Sequence, residues 1–287
     1  MAPRISIIAI CRNGAGFLSR FCRSVAVQTI EPTMFELVFV DDGSTDGSVE
    51  IARHFCRGLS NFRVVETGAT RGSGVGGARN AGLKEATGEY VWHVDCDDHL
   101  APDALARIAA ALDAFKAENG RDADVCLLPV RSDTPQGPFI RAPQLGELAP
   151  QGAVGAWAKV IRRPLCVEFA PGVMLQDRAW HFRQFDRFET VAAVEGEMPV
   201  YFYDRTHAAI SSAAEWCATH PRTLEELAFG DELGRERVNR RWVGDFFRCV
   251  AEMWDTGAML RKPAVRKAWE IRFKLICNNL ASGRFSG

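Results

Sequence analysis

Phe35-Glu36-Leu37-Val38-Phe39-Val40-Asp41-Asp42-Gly43-Ser44 is the stretch on which the fold turns. Its first six residues are almost all apolar and do not alternate, as expected of a strand covered on both faces in a parallel sheet. Turn residues then stop it, and Thr45 or Asp46 stands where a helix through about Phe55 needs its cap. Upstream, Ile5–Ile10 reads as a second buried strand broken by Asn13-Gly14, and Phe17 to Val27 has apolar residues at helical spacing. Downstream, Phe62–Glu66 is a strand, followed by a glycine-rich loop from Gly72 to Gly77 and a helix through about Ala86. Glu89–Val94 is the next strand, ended by Asp95-Cys96-Asp97-Asp98; Pro102 opens a helix through Glu118, and Val125–Pro129 is a fifth strand. Strands and helices alternating at this spacing predict an α/β fold, a mostly parallel central sheet wrapped by right-handed crossovers. Ligands of such sheets bind beyond the carboxyl ends of the strands. Asp41-Asp42, Gly72–Gly77 and Asp95–Asp98 all fall there.

From Arg131 to Pro150 the pattern weakens into a Pro/Gly-rich connection. Thr190–Val194 and Val200–Tyr203 are strand-like, and from about Pro221 onward the reading is a C-terminal helical segment, with Trp242, Phe246, Val250, Met253 and Trp254 at helical spacing.

Composition bounds the function classes. The 287 residues are 47% hydrophobic and 25% charged, enough for a large core. A net charge of −1 gives no global case for nucleic-acid binding. Residues 234–287 hold twelve basic against five acidic side chains, so the tail is basic and the body acidic. The basic helices, with their aromatic stripe beside Arg240, Arg241, Arg261 and Lys262, suit peripheral contact with an anionic membrane. The nine cysteines form no CxxC pair, which excludes zinc clusters and a disulfide framework and leads us to expect a cytoplasmic protein. Ile5–Ile10 is too short for a signal-peptide core or a membrane span.

Asp95-Cys96-Asp97 sets two carboxylates one residue apart where a strand becomes a loop. Oxygen ligands select hard cations such as Mg²⁺ or Mn²⁺, which bridge diphosphates and offset the charge of a leaving nucleotide. Turn chemistry alone would also place aspartates there. Asp41 and Asp42 could accept from a nucleobase or ribose, or could form a turn and a helix cap. Gly72-Ser73-Gly74-Val75-Gly76-Gly77 satisfies GxGxxG, but it follows the third strand where a dinucleotide fold has it after the first. Such a loop still brings backbone N–H groups and a helix N-terminus towards phosphate, with Arg79 one turn further on.

These segments in this order, Ile5-Ser6-Ile7-Ile8 to Asn13, Phe35 to Asp46, Gly74-Val75-Gly76-Gly77-Ala78-Arg79-Asn80-Ala81-Gly82 and Thr87-Gly88-Glu89-Tyr90 to Asp98, resemble the family-2 glycosyltransferases. The resemblance implies a GT-A type nucleotide-binding domain and an inverting transfer. It implies a nucleotide-sugar-binding half over residues 1–130, an acceptor-side half of the same domain over 131–215, and a helical extension over 216–287. Asp41 and Asp42 would face base and ribose; Ile10, Arg12, Gly74, Arg79, Asp95 and Cys96 would complete the donor site. Asp97 and His207, in Tyr203-Asp204-Arg205-Thr206-His207, would hold Mn²⁺ or Mg²⁺. Trp157 to Arg163 resembles the segment lining the acceptor side. Gly172 and Gln176-Asp177 resemble the loop and acidic pair before an active-site helix, which puts Asp177 at the place of the catalytic base. Three positions depart from the pattern: Gln176 stands where Glu is usual, and Cys11-Arg12 where a small residue and an aromatic are common.

The expected function is therefore inverting transfer from a nucleoside-diphosphate sugar, UDP by default, to a hydroxyl of a glycan, lipid-linked or protein acceptor. No nucleic acid is involved, and the protein would be cytoplasmic, with peripheral contact on the inner face of the cell membrane through its tail. Two rivals keep the same sheet. A sugar-phosphate nucleotidyltransferase would need a glycine-rich basic loop after the first strand, for which Asn13-Gly14-Ala15-Gly16 is a poor fit. A carbohydrate-binding or scaffold protein would have lost the acids that Asp95, Asp97 and Asp177 retain.

Overall fold

The computed structural model describes residues 2–69, 72–134, 137–143, 155–169, 177, 180, 181, 184 and 187–204. The expected helices after residue 216, His207 and Gln176 lie outside the described residues. A seven-stranded sheet runs in the order β10-β6-β9-β4-β1-β2-β3, comprising β1 (Ile5–Cys11), β2 (Phe35–Asp41), β3 (Phe62–Glu66), β4 (Tyr90–Asp95), β6 (Val125–Leu127), β9 (Lys159–Arg162) and β10 (Val191–Ala193). β1 pairs in parallel with β2 and β4, and β2 with β3. All seven residues of β1 and of β2 are buried, as their unbroken apolar runs require.

Alternate side chains divide the sheet's two faces. Ile7, Ala9, Leu37 and Phe39 join the large core that takes Leu18, Phe21 and Val25 of α1 (Ala15–Ala26), Ala52 and Cys56 of α2 (Ser48–Cys56), and Leu105, Ile108 and Leu112 of α4 (Ala104–Asn119). Ile8, Ile10, Val38, Val40 and Val91 form a second cluster against Ala78 of α3 (Gly74–Glu85). Burying each such aliphatic side chain contributes about 1.5–3 kcal/mol. Glu36 carries a charge into the start of β2. It accepts hydrogen bonds from the Ser6 hydroxyl, the Thr87 amide and hydroxyl and Arg63, tying the sheet's amino end together.

Two features differ from the sequence reading. The fifth strand, β6, does not pair with β4. β9 lies between them, antiparallel to both, so Trp157 to Arg163 contributes a central strand that its short apolar core did not announce. The Pro/Gly-rich connection contains a hairpin, β7 (Val130–Thr134) with β8 (Gly137–Arg141). With β5 (His99–Leu100) and β11 (Tyr201–Asp204) it makes a second sheet, ordered β5-β11-β7-β8. Among the described residues no helix is long and apolar enough to cross a membrane.

Candidate active site

The register places the site. Ile10 pairs with Asp95 and with Val40, and Cys11 with Asp41, so the last residues of three parallel strands finish side by side. Asp41 folds back over its own turn: its Oδ2 accepts the Gly43 and Ser44 amides at 3.2 and 3.0 Å. Its Oδ1 is buried and has no hydrogen-bond partner among the described residues. An orphaned buried acceptor costs about 1–3 kcal/mol unless a ligand's N–H or O–H meets it. Asn13, at φ 52°, receives the Thr45 amide on its Oδ1 and donates its own N–H to Ser44, closing this corner. Asp46 caps two helices at once, accepting Ala15 N–H of α1 and Ser48 N–H of α2.

Asp42 has a different role. Its Oδ1 accepts the Thr67 hydroxyl at 2.8 Å and both N–H and hydroxyl of Ser73 at 2.7 Å, and its Oδ2 accepts Gly74 N–H at 3.0 Å. It caps α3 from across the sheet edge, with its acceptors occupied. This revises the reading of the glycine segment. α3 begins at Gly74 itself, so Gly74, Gly76 and Gly77 lie in its first turn, and the Ser73 and Gly74 amides bond Asp42. Arg12 Nη1 lies over this corner, 2.5 Å from where a Cβ on Gly72 would stand.

Arg79 is corrected more sharply. It is 1% exposed, not a surface cation offered to phosphate. Its Nη2 bonds Asp95 at 2.8 Å and its Nη1 bonds Asp177. Burial disfavours its charge, but Asp177 and Asp95 more than offset this and hold the guanidinium protonated. The structure thus joins Asp95, at the end of β4, to Asp177, 82 positions later in the chain. Both carboxylates keep about a quarter of their side chains exposed, enough to meet a substrate.

Cys96, one residue on, turns to the opposite face and is buried against Cys11. The Cβ position of Gly14 would lie 2.7 Å from the Cys11 sulfur and 3.0 Å from that of Cys96. Asp97 follows on the loop, where Arg20 of α1 holds its carbonyl at 2.6 Å. Tyr201 of β11 braces the same loop, accepting Asp95 N–H at 3.2 Å and donating to Asp98.

Sequence reasoning missed the support of Asp177. Residues 177, 180, 181 and 184 are helical and share one face. Trp180 Nε1 donates to Val167 O at 2.8 Å, and Gln184 bonds both Leu165 O and Val167 N–H. Asn80, next to Arg79, clasps Phe169 through both its amide and its carbonyl. The Trp-x-x-x-Gln spacing after Asp177 was the available signal.

Comparison with known proteins agrees with this geometry. Residues 6–133 match the family described as Glycosyl transferase family 2. Over those residues the chain is similar to family-2 glycosyltransferases. The poly(ribitol-phosphate) beta-N-acetylglucosaminyltransferase TarS of Staphylococcus aureus is 34% identical over 115 residues, 40% of this chain and 20% of that protein. The poly(ribitol-phosphate) beta-glucosyltransferase of Bacillus spizizenii is 36% identical over 104 residues, 36% of this chain and 16% of that one. The matched segments thus span a fifth or less of these relatives' length. The crystal structure of TarS 1–349 in complex with UDP-GlcNAc superposes with a TM-score of 0.63 at 20% identity, covering 98% of this chain and 92% of that one. The mannosyltransferase PcManGT from Pyrobaculum calidifontis, in complex with GDP-Man and Mn²⁺, gives 0.55 at 16% identity, covering 100% and 82%. The fold is of the GT-A type.

Proposed function

We propose that this protein transfers a sugar from a nucleoside-diphosphate sugar to an acceptor hydroxyl during polysaccharide or glycan assembly, with inversion at the anomeric carbon. The observation that carries the reading is the Asp95–Arg79–Asp177 bridge, which brings a donor-side carboxylate and the candidate base to one sheet edge. In support, the matching family acts on sugars, and TarS, of the same fold, was crystallised with UDP-GlcNAc. UDP is therefore our choice of nucleotide.

In this reading the buried Oδ1 of Asp41 accepts the imide N–H of the base, and Asp42 shapes the pocket wall by capping α3. Ile10 and the Cys11–Cys96 thiols floor the pocket, and Asp95 takes a ribose hydroxyl on the oxygen Arg79 leaves free. Asp177 accepts the acceptor's proton as the hydroxyl oxygen attacks the anomeric carbon, and the carbon–oxygen bond to the nucleoside diphosphate breaks on the opposite side. Arg79 holds Asp177 aimed while this happens.

A divalent cation fits the donor set. Asp95 is committed to Arg79, which leaves Asp97 as the oxygen ligand, and the described residues hold no cluster of three or more acidic, His or Cys side chains able to cage a metal alone. Hard cations are commonly held by one or two carboxylates together with substrate phosphates. Asp97, with His207, would hold Mn²⁺ or Mg²⁺, whose chemistry is to stabilise the departing diphosphate's charge. The basic tail is assigned to peripheral membrane contact and the protein to the cytoplasm.

Calorimetry of UDP binding, with and without Mn²⁺, on wild type and Asp97→Ala tests the donor site. Metal-dependent binding that the substitution abolishes is expected. Equal affinity of both proteins, or no binding to UDP, GDP, CDP or dTDP, overturns the reading.

A further inference from the structure

Two thiols meet beneath the donor site. The register that pairs Ile10 with Asp95 brings Cys11 and Cys96, the next residue along each chain segment, side by side. Neighbouring strands lie about 4.8 Å apart, inside the Cα spacing that a disulfide spans. Both side chains join the larger core, Cys11 4% and Cys96 9% exposed. Their sulfurs lie 2.7 and 3.0 Å from one point, the Cβ position of Gly14, so the two side chains converge. The Cys96 thiol donates a hydrogen bond to the Cys11 sulfur. A second pair, Cys22 of α1 with Cys56 of α2, is fully buried between those helices. The first pair differs in its neighbours. Arg12 follows Cys11, and Asp95 and Asp97 flank Cys96.

We propose that Cys11 and Cys96 form a reversible disulfide that weakens binding of the donor nucleotide, so that oxidant slows transfer. The proposal rests on the reading of the donor site given above. The oxidant is hydrogen peroxide, small enough to reach thiols at the floor of an open pocket. One thiolate attacks a peroxide oxygen, the O–O bond breaks and hydroxide leaves, which makes a sulfenic acid. The other thiolate attacks that sulfur and expels its oxygen as a second hydroxide. The two hydroxides take the two thiol protons and become water. The sulfurs lose the two electrons that the peroxide gains.

The bond alters the site because the sulfurs must move from hydrogen-bond contact to covalent distance. A single carbon added at Gly14 would already stand 2.7 Å from the Cys11 sulfur, so little room is left on that side. Gly14 itself is held, its N–H donating to the Ser48 hydroxyl at 3.0 Å. The adjustment therefore falls on residues 11–13 and 95–97, which carry Arg12, Asp95 and Asp97. It also reaches Asp42, whose N–H donates to the Cys11 carbonyl at 2.9 Å. Linkage makes the effect reciprocal. If the disulfide form binds the nucleotide more weakly, bound nucleotide opposes disulfide formation by the same factor.

The test treats the full chain with hydrogen peroxide, with and without saturating UDP and Mn²⁺. Free thiols are then alkylated and the disulfides mapped by peptide mass spectrometry. A Cys11–Cys96 bond is expected, seen as the loss of two hydrogens, and UDP should suppress it. Calorimetry on the oxidised protein should find UDP affinity lowered about tenfold or more, and dithiothreitol should restore it. That reversal separates the effect from methionine oxidation, which dithiothreitol leaves in place. The same treatment of Cys22→Ala removes the second pair as the cause. Should that variant not fold, wild type in which the map finds Cys22 and Cys56 still free serves instead. Absence of the Cys11–Cys96 bond, or a bond that leaves UDP affinity unchanged, overturns the proposal. Failure of the reduced protein to bind UDP overturns the donor-site reading and the switch with it. The map reports on the thiol pair in either case, so the two failures are distinguishable.

Discussion

Arg79 reaches Asp95 with one guanidinium nitrogen and Asp177 with the other, so a single buried side chain sets the distance between the donor-side carboxylate and the proposed base. Two parallel N–H groups in a rigid fork can do this; one ammonium cannot. Arg79→Lys is expected to remain folded but to lose one of the two contacts, lowering transfer about 10²-fold, as small displacements of catalytic groups do. Arg79→Met leaves both carboxylates facing each other without a counter-charge and should cost about 3 kcal/mol, the lower end for broken buried pairs because both acids keep some solvent. Denaturant unfolding and a sugar-transfer assay on the two variants separate these effects.

Adjacent aspartates should behave oppositely. Asp42→Ala removes the cap of α3 and should cost about 1–2 kcal/mol of stability. Asp41→Asn keeps an oxygen for the Gly43 and Ser44 amides but turns the orphaned Oδ1 into a donor facing a donor. UDP affinity should then fall about tenfold or more with little change in melting temperature. Calorimetry and thermal melts on both variants check the pair; loss of affinity in Asp42→Ala alone would exchange the roles assigned here.

That contrast also marks how much the sequence disclosed. β1, β2 and β4 were legible because nearly continuous apolar runs have few other uses, and their carboxyl ends located Asp41, Asp95 and Asp97. β9 was not legible as a strand, because its apolar core is only Val160-Ile161 and its place between β4 and β6 depends on partners far away in the chain. Asp41 and Asp42 look alike as letters, and only the course of α3 decides which one is spent on a cap. Arg79 reads as a cation near phosphate until Asp177, 98 positions later in the chain, meets it.

Stability should fall on the acid side in a way assignable to two carboxylates. Glu36 and Asp124 are held below the ordinary carboxylate range. Burial pushes each up, but Ser6, Thr87 and Arg63 for Glu36, and the Glu189 and Thr190 amides, the Thr190 hydroxyl and Arg162 for Asp124, more than offset it. A group whose folded value is depressed contributes stability above its unfolded value, near 4, and loses it as pH falls through the folded value. Unfolding free energy should therefore drop as pH is lowered from about 5. Glu36→Gln should be less stable at pH 7 and show a shallower slope below 5. An unchanged slope would place the acid sensitivity elsewhere.

Gly82 sets how closely α3 lies on the sheet. A Cβ there would stand 2.3 Å from Ile8 Cγ2 and 2.9 Å from Val40 Cγ2. Both neighbours are fully buried β-branched residues on central strands, so neither can swing aside. Alanine favours a helix interior by about 1 kcal/mol over glycine, but overpacking costs about 1–3 kcal/mol, so Gly82→Ala should be net destabilising. The helix can relieve the clash only by moving off the sheet, and Arg79 sits on it one turn earlier. Transfer should therefore fall although residue 82 touches no substrate. Gly16 supplies the control: it lies in α1 with nothing within 4 Å of its Cβ position, so Gly16→Ala should stabilise by about 0.4–1 kcal/mol and leave transfer unchanged. Equal stability changes in the two variants would mean that α3 has room to spare, and the close approach would no longer explain the position of Arg79.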